Sequence, residues 1–184
     1  VFLPLSANPF SAPTDRDMLP SERREFVRTH RTCVFGYRRR NHGPGMSIVY
    51  YIPTDDGELL VSTMAGRGKA RVVPRDGKVS LCVLDERWPF AYLQVYADAT
   101  LDADRDLAVE VMMAVAGRMS GQQLGEPARP AVAAMCEREN RVVIRCRPYS
   151  TFATPPRHLH RNDQVRQLTH WASGVVPWDA TDPT

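Results

Sequence analysis

Six short apolar runs, each bounded by turn residues, constrain this chain more than any other feature. They are 32–37 (TCVFGY), 46–52 (MSIVYYI), 58–63 (ELLVST), 79–84 (VSLCVL), 91–101 (AYLQVYADATL) and 141–147 (RVVIRCR). All are rich in β-branched and aromatic residues, and most have the length of a strand rather than a helix. In 91–101, Leu93, Val95, Ala97, Ala99 and Leu101 alternate with Gln94, Tyr96, Asp98 and Thr100, the period of a half-buried strand. Tight-turn chemistry separates the runs: RRRNHGPG at 38–45, Asp55-Asp56-Gly57, and Arg75-Asp76-Gly77-Lys78. Short antiparallel strands on tight turns close into a barrel or stack into a sandwich.

The period changes in three places. Ser21 to Val27 reads as a short helix with Ser21 as N-cap. From Asp104 to Met119, the residues Ala108, Met112, Val115 and Met119 share one helical face, and Gly121 ends the segment. Pro130 suits the first turn of a second helix, 130–138. The segment 64–73 breaks the strand pattern, and Pro74 argues against a long helix there. These signals divide the chain into an N-terminal arm (1–20), one folded domain (21–156) and a polar tail (157–184) with a helix near 162–172.

Composition narrows the function classes. With 184 residues, 43% hydrophobic and 24% charged, the chain supports one domain with a real core. The net charge of +3 favours anionic ligands but falls short of a nucleic-acid binder. No run reaches the ~18 apolar residues of a membrane span. The N-terminal segment lacks the basic start and apolar stretch of a secretory signal. Cys33, Cys82, Cys136 and Cys146 are widely spaced with no CxxC pair, and read as reduced core residues of a cytoplasmic protein.

The richest chemistry lies in Ser62-Thr63-Met64-Ala65-Gly66-Arg67-Gly68-Lys69-Ala70-Arg71. Two hydroxyls stand at a strand end. Two glycines allow backbone N–H groups to approach an anion, and Arg67 and Lys69 add cations. By spacing alone this is either a phosphate cradle or a solvated basic turn. It is not a Walker motif, and no GxSxG nucleophile is present. Arg38, Arg39 and Arg40 form either a solvated hairpin or an extra cationic patch. His158 and His160 lack the further ligands of a metal site, so no metal is expected. Asp102, Asp104 and Asp106 lack the glycine and closing Glu of a calcium loop and fit a helix N-terminus better.

The order of segments resembles the pyridoxamine 5′-phosphate oxidase-like, FMN-binding split-barrel superfamily from Glu22 to about Pro155. The resemblance rests on HRTCVFGYRR, MSIVYYIPTDDGELLVST, STMAGRGKARVVPRDGKVSLCVLD, WPFAYLQVYADATLDAD and NRVVIRCRPYSTF. Within it, the chain is most similar to the actinobacterial branch that uses the deazaflavin coenzyme F-420. The resemblance implies a mainly β fold with flanking helices, a six-stranded antiparallel split β-barrel of Greek-key type. It implies Ser62, Thr63, Arg67 and Lys69 on the cofactor phosphate, and Met46, Ser47, Ile48, Val49 and Tyr50 along the ring. It implies a homodimer with the cofactor at the interface, where Trp88, Phe90 and Tyr92 approach from the partner. Tyr50 and Tyr92 are candidate proton donors. The activity implied is hydride transfer from reduced coenzyme F-420 to an unsaturated or conjugated small molecule. The alternatives are an FMN-dependent enzyme and a non-enzymatic cofactor-binding barrel.

Overall fold

The computed structural model describes residues 18–87, 91–153 and 175–183. Its elements run α1 (Pro20–Thr29), β1 (Thr32–Tyr37), β2 (Gly45–Tyr50), β3 (Ile52–Pro53), β4 (Leu59–Met64), α2 (Gly68–Asp76), β5 (Lys78–Asp85), β6 (Ala91–Asp102), α3 (Arg105–Ser120), α4 (Arg129–Arg138), β7 (Arg141–Ala153) and β8 (Val176–Pro177). The strands form one antiparallel sheet in the order β2-β1-β5-β6-β7-β4-β3, with β8 paired to β7. The sheet curls into a half-barrel flanked by four helices, so the split-barrel expectation holds with seven strands in the main path rather than six.

The extra strand comes from a break in the run 46–52. At Tyr51 the chain leaves the pairing with β1 and begins pairing with β4, so β2 and β3 lie at opposite ends of the sheet order. The Tyr51 side chain turns inward, is fully buried, and donates from its hydroxyl to the Val27 carbonyl at 2.6 Å. Because the chain joins the two ends, β2 comes close to β4 across a seam without ladder hydrogen bonds.

The inner face carries Phe35, Leu59, Val61, Leu81, Val83, Leu93, Val95, Ala97 and Ile144, closed at one end by Phe26 and Val27 of α1. A second cluster forms outside the sheet, where Ala108, Val111 and Val115 of α3 cover Leu60 and Val143. α4 then packs Cys136 on Val109 and Met113. α3 is thus buried on two sides, and its apolar face is wider than the Met112 and Met119 stripe predicts. Met119 is left exposed.

Three local expectations change. α1 starts at Pro20, so Ser21 lies inside the first turn and is not its N-cap. Ser21 donates through its N–H and Oγ to the Asp182 carboxylate, at 2.9 and 2.5 Å. A carboxylate there also complements the positive end of the helix. Second, 68–76 is helical despite Pro74. Proline removes only the N–H aimed at the Ala70 carbonyl, and the next turn is recovered when Gly77, at φ 68°, donates to the Val73 carbonyl at 2.9 Å. Third, β7 runs past Pro148 to Ala153 by means of a bulge. Tyr96 pairs with Ser150 and Ala97 with Pro148, leaving Tyr149 as the extra residue.

The four cysteines are free, and three of them are buried. Burial raises the Cys33 thiol and pushes Cys146 up to about 12, which makes both inert core residues. No helix among the described residues is long and apolar enough to cross a membrane.

Candidate cofactor-binding site

The site is built where β4 ends and α2 begins. No side chain caps the N-terminus of α2, and Arg67 stands at the N-cap position with extended backbone. The first-turn N–H groups of a helix have no intrahelical acceptor, so they and the helix dipole favour an anion. Lys69, half-buried in this turn, has its pKa lowered by burial first and by the neighbouring Arg67 second. A bound anion offsets both by pairing with the ammonium group.

The hydroxyls of the segment separate. Leu59 and Val61 point into the barrel, and strand alternation places buried Thr63 with them. Ser62 points the other way, on the side of Leu60 and Val143. Only one of the two can meet a given ligand directly. Ser62 Oγ is buried with no hydrogen-bond partner, and so is Ser47 Oγ on β2. They lie on opposite faces of the sheet, Ser47 with the inner cluster and Ser62 on the α3 side with Leu60 and Val143. An unsatisfied buried hydroxyl costs about 1–3 kcal/mol, so a polar partner for either one is stabilising.

Gly68 is required by its surroundings. A Cβ there would stand 2.6 Å from the Tyr37 hydroxyl oxygen, and a Cβ on Gly45 would strike the Tyr37 ring at 2.3 Å. Tyr37 therefore lies flat across β2 and touches the first turn of α2. Sequence reasoning missed this residue, because only the β1–β2 register brings it to the site. Gly66 faces open space, so nothing among the described residues excludes a side chain there.

The ring segment divides by face. Ser47 pairs with core Phe35 and points inward with Val49, whereas Met46, Ile48 and Tyr50 lie on the outer face. Met46 is 69% and Ile48 78% exposed. The candidate acids are not brought together. Tyr50 pairs with Thr32 of β1 and Tyr92 with Leu84 of β5, so within one chain two strands lie between them along the sheet. Trp88 and Phe90, and also His158 and His160, lie outside the described residues. Asp104 caps α3, accepting from the Leu107 N–H at 2.9 Å. Among the described residues no cluster of His, Cys, Asp and Glu could hold a metal ion.

Two cavities flank the 38–45 turn. One, about 410 Å³, is lined by Arg39, Arg40, His42 and Arg75 around Gly68 and Tyr37. The other, about 520 Å³, lies on the outer sheet face beside Met46, Tyr96 and Tyr149. A further cavity of about 640 Å³ runs along the far side of α3 and touches none of the expected site residues. Arg38, Arg39 and Arg40 have no acidic partner among the described residues.

The sequence matches the model of the family described as pyridoxamine 5′-phosphate oxidase over residues 19–154. No curated protein matches the chain by sequence. Among solved structures, a conserved hypothetical protein from Mycobacterium tuberculosis superposes with a TM-score of 0.67 at 23% identity, covering 81% of this chain and 94% of its own. A protein described as an F420 reductase superposes with a TM-score of 0.53 at 21% identity, over 69% of this chain and 93% of its own. A protein described as FAD-binding, from Mesorhizobium loti, gives 0.56 at 13% identity, over 74% and 94%. At these identities the likeness shows a shared fold.

Proposed function

Because the chain belongs to the pyridoxamine 5′-phosphate oxidase family, whose model spans residues 19–154, we propose that it is an oxidoreductase holding coenzyme F-420. The observation that carries this reading is the uncapped start of α2, directly after β4. It bears Arg67 and Lys69, and Tyr37 links its Gly68 to the Gly45 end of β2, the strand that carries the unpartnered Ser47 hydroxyl. Those groups suit a phosphate followed by a polar, planar ring. When bound, the deazaflavin supplies a hydride to an unsaturated or conjugated acceptor; the protein supplies grip, orientation and exclusion of water.

In this reading the first turn of α2, with Arg67 and Lys69, holds the phosphate. The unpaired edge of β2 from Met46 to Tyr50 runs along the ring. Hydride addition to a conjugated acceptor is completed by one proton, which water can supply, so the reading requires no acid–base pair. The basic cavity favours F-420 over FMN. A single phosphate is met by α2 and Lys69, whereas Arg39, Arg40 and Arg75 provide for the additional negative charge of an oligoglutamate tail. The F420 reductase neighbour is consistent with that choice.

The same reading makes the chain a homodimer. Ile48 and Leu84, exposed on the outer face, are large apolar groups that a second copy would cover. A sedimentation-velocity run showing only monomer at micromolar concentration would refute the dimer. The cofactor is tested by titrating the purified protein with F-420 and FMN and following fluorescence. Tight F-420 binding is expected, and tight FMN binding without F-420 binding would overturn the assignment. Turnover against a panel of conjugated enones separates an enzyme from a storage barrel.

A further inference from the structure

The outer sheet face carries a trough that the phosphate grip does not use. The β-ladder aligns Met46, Gly36, Ser80 and Tyr96 in one row across β2, β1, β5 and β6. The two middle residues are small and the two outer ones large, so the row has a low floor between raised sides. The sides stand about 14 Å apart at the backbone, three strand spacings. The floor is kept low by contact: a Cβ on Gly36 would stand 2.8 Å from Ser80 Oγ.

One wall is aromatic. The β7 bulge sets Tyr149 beside Tyr96, with ring centroids 6.4 Å apart and planes inclined by 23°. Lys78 Nζ lies 4.5 Å over the Tyr149 ring and is paired with Asp98, so its charge is already matched. The opposite end is cationic. Arg38 and Arg39 open onto the same cavity without an acidic partner among the described residues. A volume of about 520 Å³ holds a two- or three-ring molecule.

We propose that this trough is a binding site for a planar aromatic or conjugated acid, its rings against Tyr96 and Tyr149 and its carboxylate toward Arg38 and Arg39. This names the substrate class and so rests on the oxidoreductase reading, because Met46 belongs to the strand assigned to the ring. A neutral molecule of the same shape gains the aromatic contact alone. The acid gains a charge-assisted hydrogen bond as well.

The test compares 2-naphthoate with 2-naphthalenemethanol by isothermal titration calorimetry on the full chain, with and without F-420. The acid is expected to bind about tenfold more tightly or better, the scale of a hydrogen bond to a charged group. Arg38→Gln with Arg39→Gln should abolish that preference. Arg75→Gln, which changes only the basic cavity, should leave it intact. Tyr149→Ala should weaken both probes by roughly three- to tenfold without changing their ratio. These four side chains are exposed, so the variants should melt near the parent temperature. Equal affinity for acid and alcohol, or a preference that survives the double arginine change, would overturn the proposal. The outcomes are separable from those of the cofactor titration. Naphthoate bound in the trough without F-420 binding removes the hydride-transfer reading and keeps the site; F-420 binding without naphthoate binding does the reverse.

Discussion

The two cavities beside the 38–45 turn share Tyr37, Arg39 and His42, yet they are made in different ways. The basic one is made by a helix start: uncapped N–H groups at Gly68, with arginines added around them. The aromatic one is made by a sheet face, where two small residues leave room between two large ones. A helix terminus attracts charge without selecting shape. A row of a pleated sheet selects shape and leaves charge to whatever turn lies at its end. One turn thus serves a site that recognises charge and a site that recognises flatness.

The sharpest way to break this contrast is Lys69→Ala. It should weaken F-420 or phosphate binding by about 1.5–3 kcal/mol and leave naphthoate binding unchanged. A parallel loss at both sites, read by calorimetry, would show that the cavities are one. The pH dependence comes next. Burial and Arg67 lower the Lys69 pKa, and a bound anion favours its charged form and raises it. Anion affinity should therefore be full at neutral pH and fall as pH rises through the depressed pKa, earlier than for a free lysine. An alkaline profile identical in the protein and in Lys69→Ala would remove Lys69 from the grip.

Gly68→Ala places a methyl group against the Tyr37 hydroxyl, which cannot swing away because its ring lies on Gly45. A loss of about 1–2 kcal/mol in denaturant stability is expected, with partial recovery in the Gly68→Ala, Tyr37→Phe pair. Additive effects of the two changes would break the proposed contact. The smallest effect belongs to Arg40→Gln and Arg75→Gln. Each should cost about 0.2–1 kcal/mol of F-420 affinity, and the cost should fade as salt is raised. Naphthoate binding should not respond to either.

The strands and their turns were legible because alternation, Asp55-Asp56-Gly57 and Gly77 are local signals. The cradle at 62–71 was legible as a composition of hydroxyls, glycines and cations. Its handedness was not: Ser62 and Thr63 look equivalent in sequence and separate only when β4 pairs with β7. The α2 helix was hidden because Pro74 reads as a breaker, although at the seventh helical position it removes a single hydrogen bond. Tyr37, the Gly36–Ser80 floor and the Tyr149 bulge all depend on register between strands distant in sequence, which no local pattern reports.

The break at Tyr51 also has a mechanical side. β2 and β4 are bound together at one end by the short β3 link, and Tyr51 is pinned there to the Val27 carbonyl. Toward Gly45 and Met64 no ladder joins them. The seam is therefore a clothes-peg: its spring sits at Tyr51, and its jaws part at the end where α2 begins. The jaws must part before a ligand enters or leaves, and it is this opening that loads the spring. Tyr51→Phe, which removes the pin and keeps the ring, should then speed ligand entry and exit together while leaving the equilibrium constant nearly unchanged.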